Sequence, residues 1–361
     1  MNIVIFAGGV GTRLWPLSRK KSPKQFEKIV GDQSTLQLAV TRLQPAFLPE
    51  KIYVSTNVQY RSLIQEQLPQ VPVENIIGEP EMRDVGPAVG LMAAILEKKD
   101  SDEPMAILWS DHLVPKEDLF RTILQSAEDL IRKEPDKIVF IAQKPRFASQ
   151  NLGWIGFGEK EREHVGVTYY TLKGFKYRPD LDTAKKYFSD GKHSWNLGYW
   201  VTTPRFLFGL FKSFAPEIYK ELKKIQKAYG TKEYEKVLNT VYPTLEKISF
   251  DNAVIEKMDF KNGLVVSVDL DWSDVGAWEA LKEALQNSEN DNVTRGNVII
   301  EESNDSLVYN YNDKQLLITI DVDGLLVINT DDVTLVCRKD SVPKIKKLVE
   351  SFAGTDHEHL T

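Results

Sequence analysis

Residues 6–26 hold the densest set of groups able to do chemistry: Phe6-Ala7-Gly8-Gly9-Val10-Gly11-Thr12-Arg13-Leu14-Trp15-Pro16-Leu17-Ser18-Arg19, then Pro23-Lys24-Gln25-Phe26. Glycines lack a Cβ, so backbone N–H groups can converge closely on an anion. Arg13 and Lys24 add two cations suited to a polyphosphate. The segment follows the apolar run Ile3–Phe6, which reads as a first buried strand, and an open α/β sheet places its ligand crevice at such a strand's carboxyl end. No Gly-Lys-Ser/Thr closes the loop, so it is not a P-loop. Leu14 stands where a dinucleotide fingerprint needs its third glycine. A structural turn would account for the glycines but not for Arg13, Pro16, Pro23 and Lys24 together.

Two acids extend this chemistry. Asp111 follows the apolar run Met105–Trp109, and a carboxylate at the carboxyl end of a parallel strand points into the crevice. Asp274 lies in Asp269-Leu270-Asp271-Trp272-Ser273-Asp274-Val275-Gly276-Ala277-Trp278, ahead of a glycine turn and a helix. Hard Mg²⁺ takes carboxylates together with phosphate oxygens and water, which two acids converging in a crevice would suit. Each acid also has a structural reading, Asp111 as a cap ahead of Leu113 and Asp274 as a loop or cap acid. Asp269 and Asp271 read as solvated or strand-end residues.

Positioning these groups requires an alternating fold. Ile3–Phe6, Ile52–Ser55, Ile76–Ile77, Met105–Leu108 and Ile138–Ile141 read as buried strands; Ser34–Leu43, Val58–Leu68, Pro87–Lys98 and Glu117–Arg132 carry helical spacing. The alternation predicts βαβ units, hence an α/β fold with a Rossmann-like, mixed but mostly parallel sheet. Residues 150–285 are less regular, with an extended Val165–Phe175 run and helices near Leu181–Phe188, Pro204–Phe211 and Ala253–Met258. Further on, Val298–Ile300, Ser306–Tyr309, Leu316–Ile320, Leu325–Ile328 and Val333–Cys337 are short apolar runs separated by Asn, Asp and Gly. They predict a small all-β, β-helix-like appendage closed by a basic helix, Val342–Phe352, with a tail frayed from Gly354. The polar stretch Asn287–Asn292 divides a catalytic domain, 1–287, from this β domain, 293–361.

The 361 residues carry 46 Lys plus Arg against 52 Asp plus Glu, a net charge of −6. That acidic balance argues against a general nucleic-acid binder, which needs a basic stripe. With 42% apolar and 27% charged residues the composition is ordinary for a globular chain and argues against disorder. A single cysteine, Cys337, excludes an intrachain disulfide framework and a cysteine-based zinc site. The longest uncharged apolar stretch, Gly86–Leu96, falls short of the roughly 20 residues of a membrane helix. Asn2–Phe6 lacks the basic lead of a signal peptide. The expectation is a soluble, cytoplasmic protein with no membrane or nucleic-acid partner.

Gly8-Gly9-x-Gly11-Thr12-Arg13-Leu14 followed by Pro23-Lys24 resembles the signature of sugar-nucleotide pyrophosphorylases. The fuller string Leu14-Trp15-Pro16-Leu17-Ser18-Arg19 with Pro23-Lys24-Gln25-Phe26 is similar to their mannose-1-phosphate guanylyltransferase branch. The resemblance implies Mg²⁺-dependent (or Mn²⁺-dependent) transfer of GMP from GTP to mannose 1-phosphate. It implies catalytic roles for Arg13 and Lys24, a phosphate cradle of Ala7, Gly8, Gly9, Gly11 and Thr12, and metal ligation by Asp111 and Asp274. Because a sugar phosphate is already ionised, His112 is not needed as a base.

Glu79-Pro80-Glu81-Met82-Arg83-Asp84-Val85-Gly86-Pro87 reads from its residues alone as a strand-to-helix turn. It is similar to the family's guanine and ribose lip, which implies nucleotide contacts from Glu79, Arg83, Asp84 and Pro87, with Val85-Gly86 replacing the usual Thr-Ala. Gly153, in Leu152–Gly156, resembles the family's Gly-Tyr-Gly segment, with Trp154 as a flat wall for the sugar. Asn196 lies in a stretch similar to its Asn-x-Gly element. Asp251, Glu256 and Lys257 lie in one similar to its Asp-Tyr-Ala-Val-Met-Glu-Lys helix start. These imply sugar-phosphate contacts.

Phe175-Lys176-Tyr177-Arg178-Pro179 departs from the family's Phe-x-Glu-Lys-Pro. Arg178 keeps a phosphate-binding cation, but Tyr177 cannot accept two sugar hydroxyl hydrogens as a carboxylate does. Transfer to another sugar 1-phosphate, such as a manno-heptose, therefore stays open. A non-catalytic nucleotide-sugar sensor is the reading from another class, and the retained Arg13, Lys24 and both acids stand against it. Longer relatives carry an isomerase module beyond the β appendage, so none of that activity is expected here. The appendage itself suits a cover over the site or an oligomer contact, a homodimer included.

Overall fold

The computed structural model describes residues 1–9 and 11–361. The chain gathers into two compact units. Met1–Gly8, Ala39–Ser110 and Pro115–Leu270 form the first, and Gly9–Leu38, Asp111–Val114 and Asp271–Thr361 the second. The grouping departs from the sequence boundary at 287–292 for a physical reason. Leu14, Trp15, Ile29 and Leu113 bury their side chains in one core with Val275, Trp278, Leu307, Leu326 and Ile328.

In the first unit the described residues form one sheet of β1 (Asn2–Ala7), β2 (Ile52–Asn57), β3 (Ile76–Glu79), β4 (Met105–Trp109), β5 (Ile138–Gln143), β6 (Gly153–His164), β7 (Val167–Lys176), β8 (His193–Thr202) and β9 (Gly263–Val268). The order is β3-β2-β1-β4-β8-β5-β9-β7-β6. β3-β2-β1-β4 and the β5–β9 pair are parallel, and β8 joins the two blocks antiparallel to both β4 and β5. The five strands expected from apolar runs are β1 to β5. The uncharged stretch 86–96 is buried throughout inside the helix Val85–Lys99, so its composition reflects core packing. Two helices escaped the sequence reading, Pro216–Ala228 and Tyr234–Val241; the first turns Ile218, Leu222 and Ile225 onto the core. Ala253–Met258 is a helical turn, Phe250–Ala253, followed by a 3₁₀ turn, Ile255–Lys257, rather than one helix. Among the described residues no helix is long and apolar enough to cross a membrane.

The second unit holds β10 (Val293–Arg295), β11 (Val298–Glu301), β12 (Leu307–Asn310), β13 (Leu317–Ile320), β14 (Leu325–Asn329) and β15 (Thr334–Arg338). β10-β12-β14 and β11–β13 pair in parallel, with β15 antiparallel on β14, so successive turns of chain stack like rungs. Val298 faces Leu317, Leu307 faces Leu326, and Asn310 faces Asn329, the last two asparagines lying 19 residues apart. The amide ladder is the polar spine of this coil. Asn329 Nδ2 donates to Asn310 Oδ1 at 3.0 Å and to Gln315 Oε1 at 3.1 Å, while its Oδ1 accepts from Thr334 at 2.7 Å. The helix Pro343–Glu350 follows. At the end of the tail, Trp15 Nε1 donates to the Leu360 carbonyl at 2.8 Å.

Asn329→Ala leaves the buried Asn310 amide, and the Gln315 and Thr334 side chains, without this partner. The expected loss is about 2 kcal/mol of stability, read as a lower urea midpoint at unchanged slope. A midpoint within error of the parent would show that the ladder contributes nothing.

Candidate functional site

Four of the charged groups singled out in the sequence sit in the second unit. The 3₁₀ turn Lys24–Phe26 begins directly after Pro23, which pre-sets the backbone for it. Lys24 is only 8% exposed, and its ammonium lies 2.7 Å from Asp111 Oδ2. It also reaches the backbone carbonyls of Asp274 and Val275, each at 3.5 Å. Gly11 has φ 74°, and a Cβ there would come within 2.7 Å of Lys24 Cγ and Cδ. Glycine at this position is what lets the lysine stem lie across the loop. Burial pushes the Asp111 carboxyl up, but Lys24, His112 and a backbone hydrogen bond together hold it below the usual carboxylate range.

The two acidic loops are joined to each other. Leu113 N–H donates to the Ser273 carbonyl at 2.9 Å, and Ser273 N–H returns a bond to the Leu113 carbonyl at 3.2 Å. This bridge sets Asp111 and Asp274 on neighbouring turns. Asp274 Oδ1 accepts from the Gly276 N–H at 3.3 Å. A Cβ on Gly276 would stand 3.0 Å from Arg13 Nη2 and 3.1 Å from Asp274 Oδ2, so glycine leaves room for that guanidinium beside that carboxylate. Trp272 Nε1 donates to His112 Nδ1 at 3.1 Å, and the two rings meet edge-on at 5.0 Å. His112 is thereby held as a spacer between the two loops. The acceptor role of its Nδ1 leaves it no part as a base there. Trp272 and the Leu113–Ser273 bridge were missed in the sequence, although a tryptophan between two acids was a visible signal.

Among the described residues no three His, Cys, Asp or Glu side chains assemble into a metal cage. Asp111 and Asp274 fit a hard divalent ion in another way: two carboxylates supply part of the shell and phosphate oxygens and water the rest.

The first unit carries the remaining candidates. Ala7 ends β1, its carbonyl accepting from Thr56 Oγ1 at 2.9 Å, and a Cβ on Gly8 or on Gly9, the first residue of the second unit, would meet open space. Asp84 caps the helix Val85–Lys99 through Oδ1, which accepts the Val85 N–H at 2.7 Å. Gly86, where the family has alanine, is explained by crowding: a Cβ would lie 2.6 Å from the Ile248 carbonyl oxygen, which accepts the Gly86 N–H. Pro87 is buried in the first turn of that helix, where it displaces no helical hydrogen bond. Arg83 pairs with Glu81 at 3.0 Å, and its buried Nε has no hydrogen-bond partner.

A second group gathers around Asp251. Burial chiefly, with Glu256 and Asp84 adding, pushes its carboxyl up to about 6, against its own backbone bond and Arg178. Burial also raises the Tyr177 phenol, with Arg178 opposing and Asp251 and Asp84 adding, and the Arg178 guanidinium lies 5.0 Å over the Tyr177 ring. Asn196 Nδ2 approaches Asp251 Oδ1 at 3.5 Å, and Asn196 pairs across the sheet with Gly153. Glu256 accepts from Asn252 at 3.2 Å.

Three expectations are placed elsewhere. Lys257 reaches the Phe214 carbonyl at 3.5 Å and pairs with neither Asp251 nor Glu256. Trp154 is no wall for a ligand: it is fully buried, packed on Trp195 and Tyr187, with Nε1 donating to the Ser149 carbonyl at 2.8 Å. Glu79 is drawn inward, its Oε1 accepting from Ser55 at 3.1 Å and its Oε2 from Tyr242 at 2.5 Å. Tyr242 lies 163 residues away, and nothing in the sequence pairs the two.

The chain is similar to known proteins over nearly its whole length. The family model for Nucleotidyl transferase matches residues 2–291, and that for a MannoseP isomerase/GMP-like beta-helix domain matches residues 296–352. Mannose-1-phosphate guanylyltransferase of Escherichia coli (strain K12) is 32% identical, over 99% of this chain and 74% of its own length. Mannose-1-phosphate guanylyltransferase 2 of Escherichia coli O157:H7 is 30% identical, over 96% of this chain and 72% of its own length. The crystal structure titled mannose-1-phosphate geranyltransferase from Thermus thermophilus superposes with a TM-score of 0.85 at 27% identity, covering 98% of this chain and 99% of that one.

Burial raises the Glu79 carboxyl from the ordinary 4.5 to about 7, the Tyr242 and Ser55 hydrogen bonds pulling it back only in part. Between those values the folded chain holds a proton that the unfolded chain has released, so stability falls as pH rises through the window. The loss amounts to about 3 kcal/mol once both states are ionised. Urea midpoints at pH 5 and pH 8 should therefore differ less for Glu79→Gln than for the parent. Equal pH slopes in the two proteins would remove Glu79 as the source.

Proposed function

The chain belongs to the nucleotidyl transferase family, and from that premise we propose that it transfers GMP from GTP to mannose 1-phosphate, yielding GDP-mannose and pyrophosphate. The observation that carries the reading is the Lys24–Asp111 pair, 2.7 Å apart, set beside the Asp274 loop. A phosphate oxygen of the sugar 1-phosphate attacks the α-phosphorus of the nucleotide, the bond from that phosphorus to the β-phosphate oxygen breaks, and pyrophosphate leaves in line. The nucleophile is already an anion, so the protein's work is positioning and charge stabilisation.

Each group then has a task. Gly8, Gly9, Gly11 and Thr12, with Ala7, turn backbone N–H groups toward the nucleotide phosphates. Arg13 offsets charge on the departing pyrophosphate, and Lys24 stabilises the crowded α-phosphate. Asp111 and Asp274 would hold Mg²⁺ or Mn²⁺, which when bound neutralises phosphate charge. Arg83, Asp84 and Pro87 form the nucleotide lip, and Glu79 supports it from within through Tyr242. Arg178 takes the sugar phosphate, while Asn196, Asp251 and Glu256 accept and donate to sugar hydroxyls, with Gly153 leaving space beside Asn196. Lys257 would have to swing from the Phe214 carbonyl to take part. In this reading residues 1–287 are the catalytic domain and 293–361 the appended β domain.

A second acceptor sugar has one observation in its favour. Tyr177-Arg178 places a phenol stacked with a guanidinium where a carboxylate and an ammonium are usual, and this suits a manno-sugar phosphate with a different pattern of hydroxyls.

Lys24→Ala should lower kcat for pyrophosphate release from GTP and mannose 1-phosphate by at least about a hundredfold, as for loss of one preorganised charge. Near-normal turnover would strip Lys24 of that role. The same assay run with four nucleoside triphosphates against mannose, glucose and manno-heptose 1-phosphates should give release with GTP and mannose 1-phosphate. Release with GTP and only another sugar would keep the mechanism and change the acceptor.

A further inference from the structure

Lys24 has one feature that its catalytic task does not require. Its ammonium is almost wholly buried and is already matched to Asp111, a carboxylate assigned above to the divalent ion. We infer that Lys24 is an internal counter-ion of Asp111 that opposes divalent-cation binding until a nucleoside triphosphate draws the ammonium away, so that cation and nucleotide bind cooperatively. This rests on the reading of Asp111 as a metal ligand.

The physical case starts from charge. A divalent ion arriving on Asp111 meets a fixed positive charge on the same carboxylate, in a setting where burial limits screening by water. The opposite arrangement, Asp111 without Lys24, would leave a carboxylate beside the Asp274 loop without its main balancing charge. The lysine therefore stabilises the acid pair in the absence of metal and competes with metal for it.

Geometry supplies the release. The Lys24 stem lies against the α-carbon of Gly11, within the loop whose backbone N–H groups suit an anion. A triphosphate held by that loop presents several negative oxygens to the same ammonium, against one carboxylate oxygen at 2.7 Å and two carbonyls at 3.5 Å. Transfer of the ammonium from Asp111 to phosphate frees the carboxylate, and the phosphate oxygens complete the cation's shell. Because coupling is reciprocal, the cation tightens the nucleotide by the factor by which the nucleotide tightens the cation.

The test measures Mn²⁺ binding to nucleotide-free protein by its electron paramagnetic resonance signal, with no turnover involved. Lys24→Met keeps the stem and removes the charge, and Lys24→Gln serves if the methionine variant fails to fold. The expected result is Mn²⁺ binding about tenfold tighter than in the parent, a gain that is lost again when Asp111→Asn is added. If either Lys24 variant binds Mn²⁺ no more tightly than the parent while Asp111→Asn alone still weakens binding, the counter-ion inference fails and the ligand role of Asp111 survives. If Asp111→Asn changes Mn²⁺ binding neither alone nor with the Lys24 variant, the ligand reading fails and the inference with it.

Discussion

The two-bond bridge between Leu113 and Ser273 is the constraint on which the charged group of the second unit depends. It ties together loops that are remote in the chain, as the His112–Trp272 contact shows, 160 residues apart in sequence and 3.1 Å apart in space. Backbone bonds of this kind commit both partners to one register, so Asp111 and Asp274 inherit a defined separation without any direct bond between them. Bringing two carboxylates together raises the free energy of both unless cations sit nearby. Lys24 and Arg13 meet that need from a single loop. The apolar packing of Leu14 and Trp15 with Val275 and Trp278 holds that loop in place, and Trp278 Nε1 donates to the Trp15 carbonyl at 2.9 Å.

The first unit solves a different electrostatic problem. Burial chiefly, with Glu256 and Asp84 adding and Arg178 opposing, shifts Asp251 up to about 6. Carboxyl groups and an amide such as Asn196 match neutral hydroxyls, which both donate and accept. A phosphate would find there Arg178 as the cation already set against Asp251. In the proposed reaction the acceptor's orientation follows from this asymmetry, with its phosphate at Arg178 and its ring hydroxyls toward the acids.

How much of this was legible in the sequence depended on whether the relevant physics was local. Strands β1 to β5 are continuous apolar runs because both faces are covered, and such runs are visible directly. β6 was not, since its second half, Glu159–His164, is polar and mostly exposed. Helix Pro216–Ala228 is dense in lysine, which masked the Ile218, Leu222 and Ile225 stripe. The β appendage was legible as a β-helix-like set of strands, but not the register that sets Leu307 against Leu326 and Asn310 against Asn329. Arg13, Lys24, Asp111 and Asp274 could be named because each stands in a short run of unusual composition, and the structure places Lys24, Asp111 and Asp274 together. Glu79 and Trp154 were misplaced because the groups that bury them, Tyr242 and Trp195, lie far off in the chain, and no periodicity announces such a pairing.

Backbone strain follows the same division between what packing dictates and what chemistry needs. In the appendage the positive φ angles of Glu302, Asp305 and Asp321 lie at corners between rungs, where a coil must turn sharply. The others have a different distribution. Asp84 combines φ 68° with ψ 177°, a region populated almost only by glycine, at the mouth of the helix Val85–Lys99. Val275, β-branched and fully buried, holds φ 40° directly after Asp274, and Arg178 holds φ 44° beside Tyr177. A buried β-branched residue in such a conformation is held there by its surroundings. The core around Trp278 does so for Val275, and the Asp84 side chain does so for its own turn by accepting the Val85 N–H. Relaxing either residue to an ordinary strand or helix angle would redirect the adjoining carboxylate.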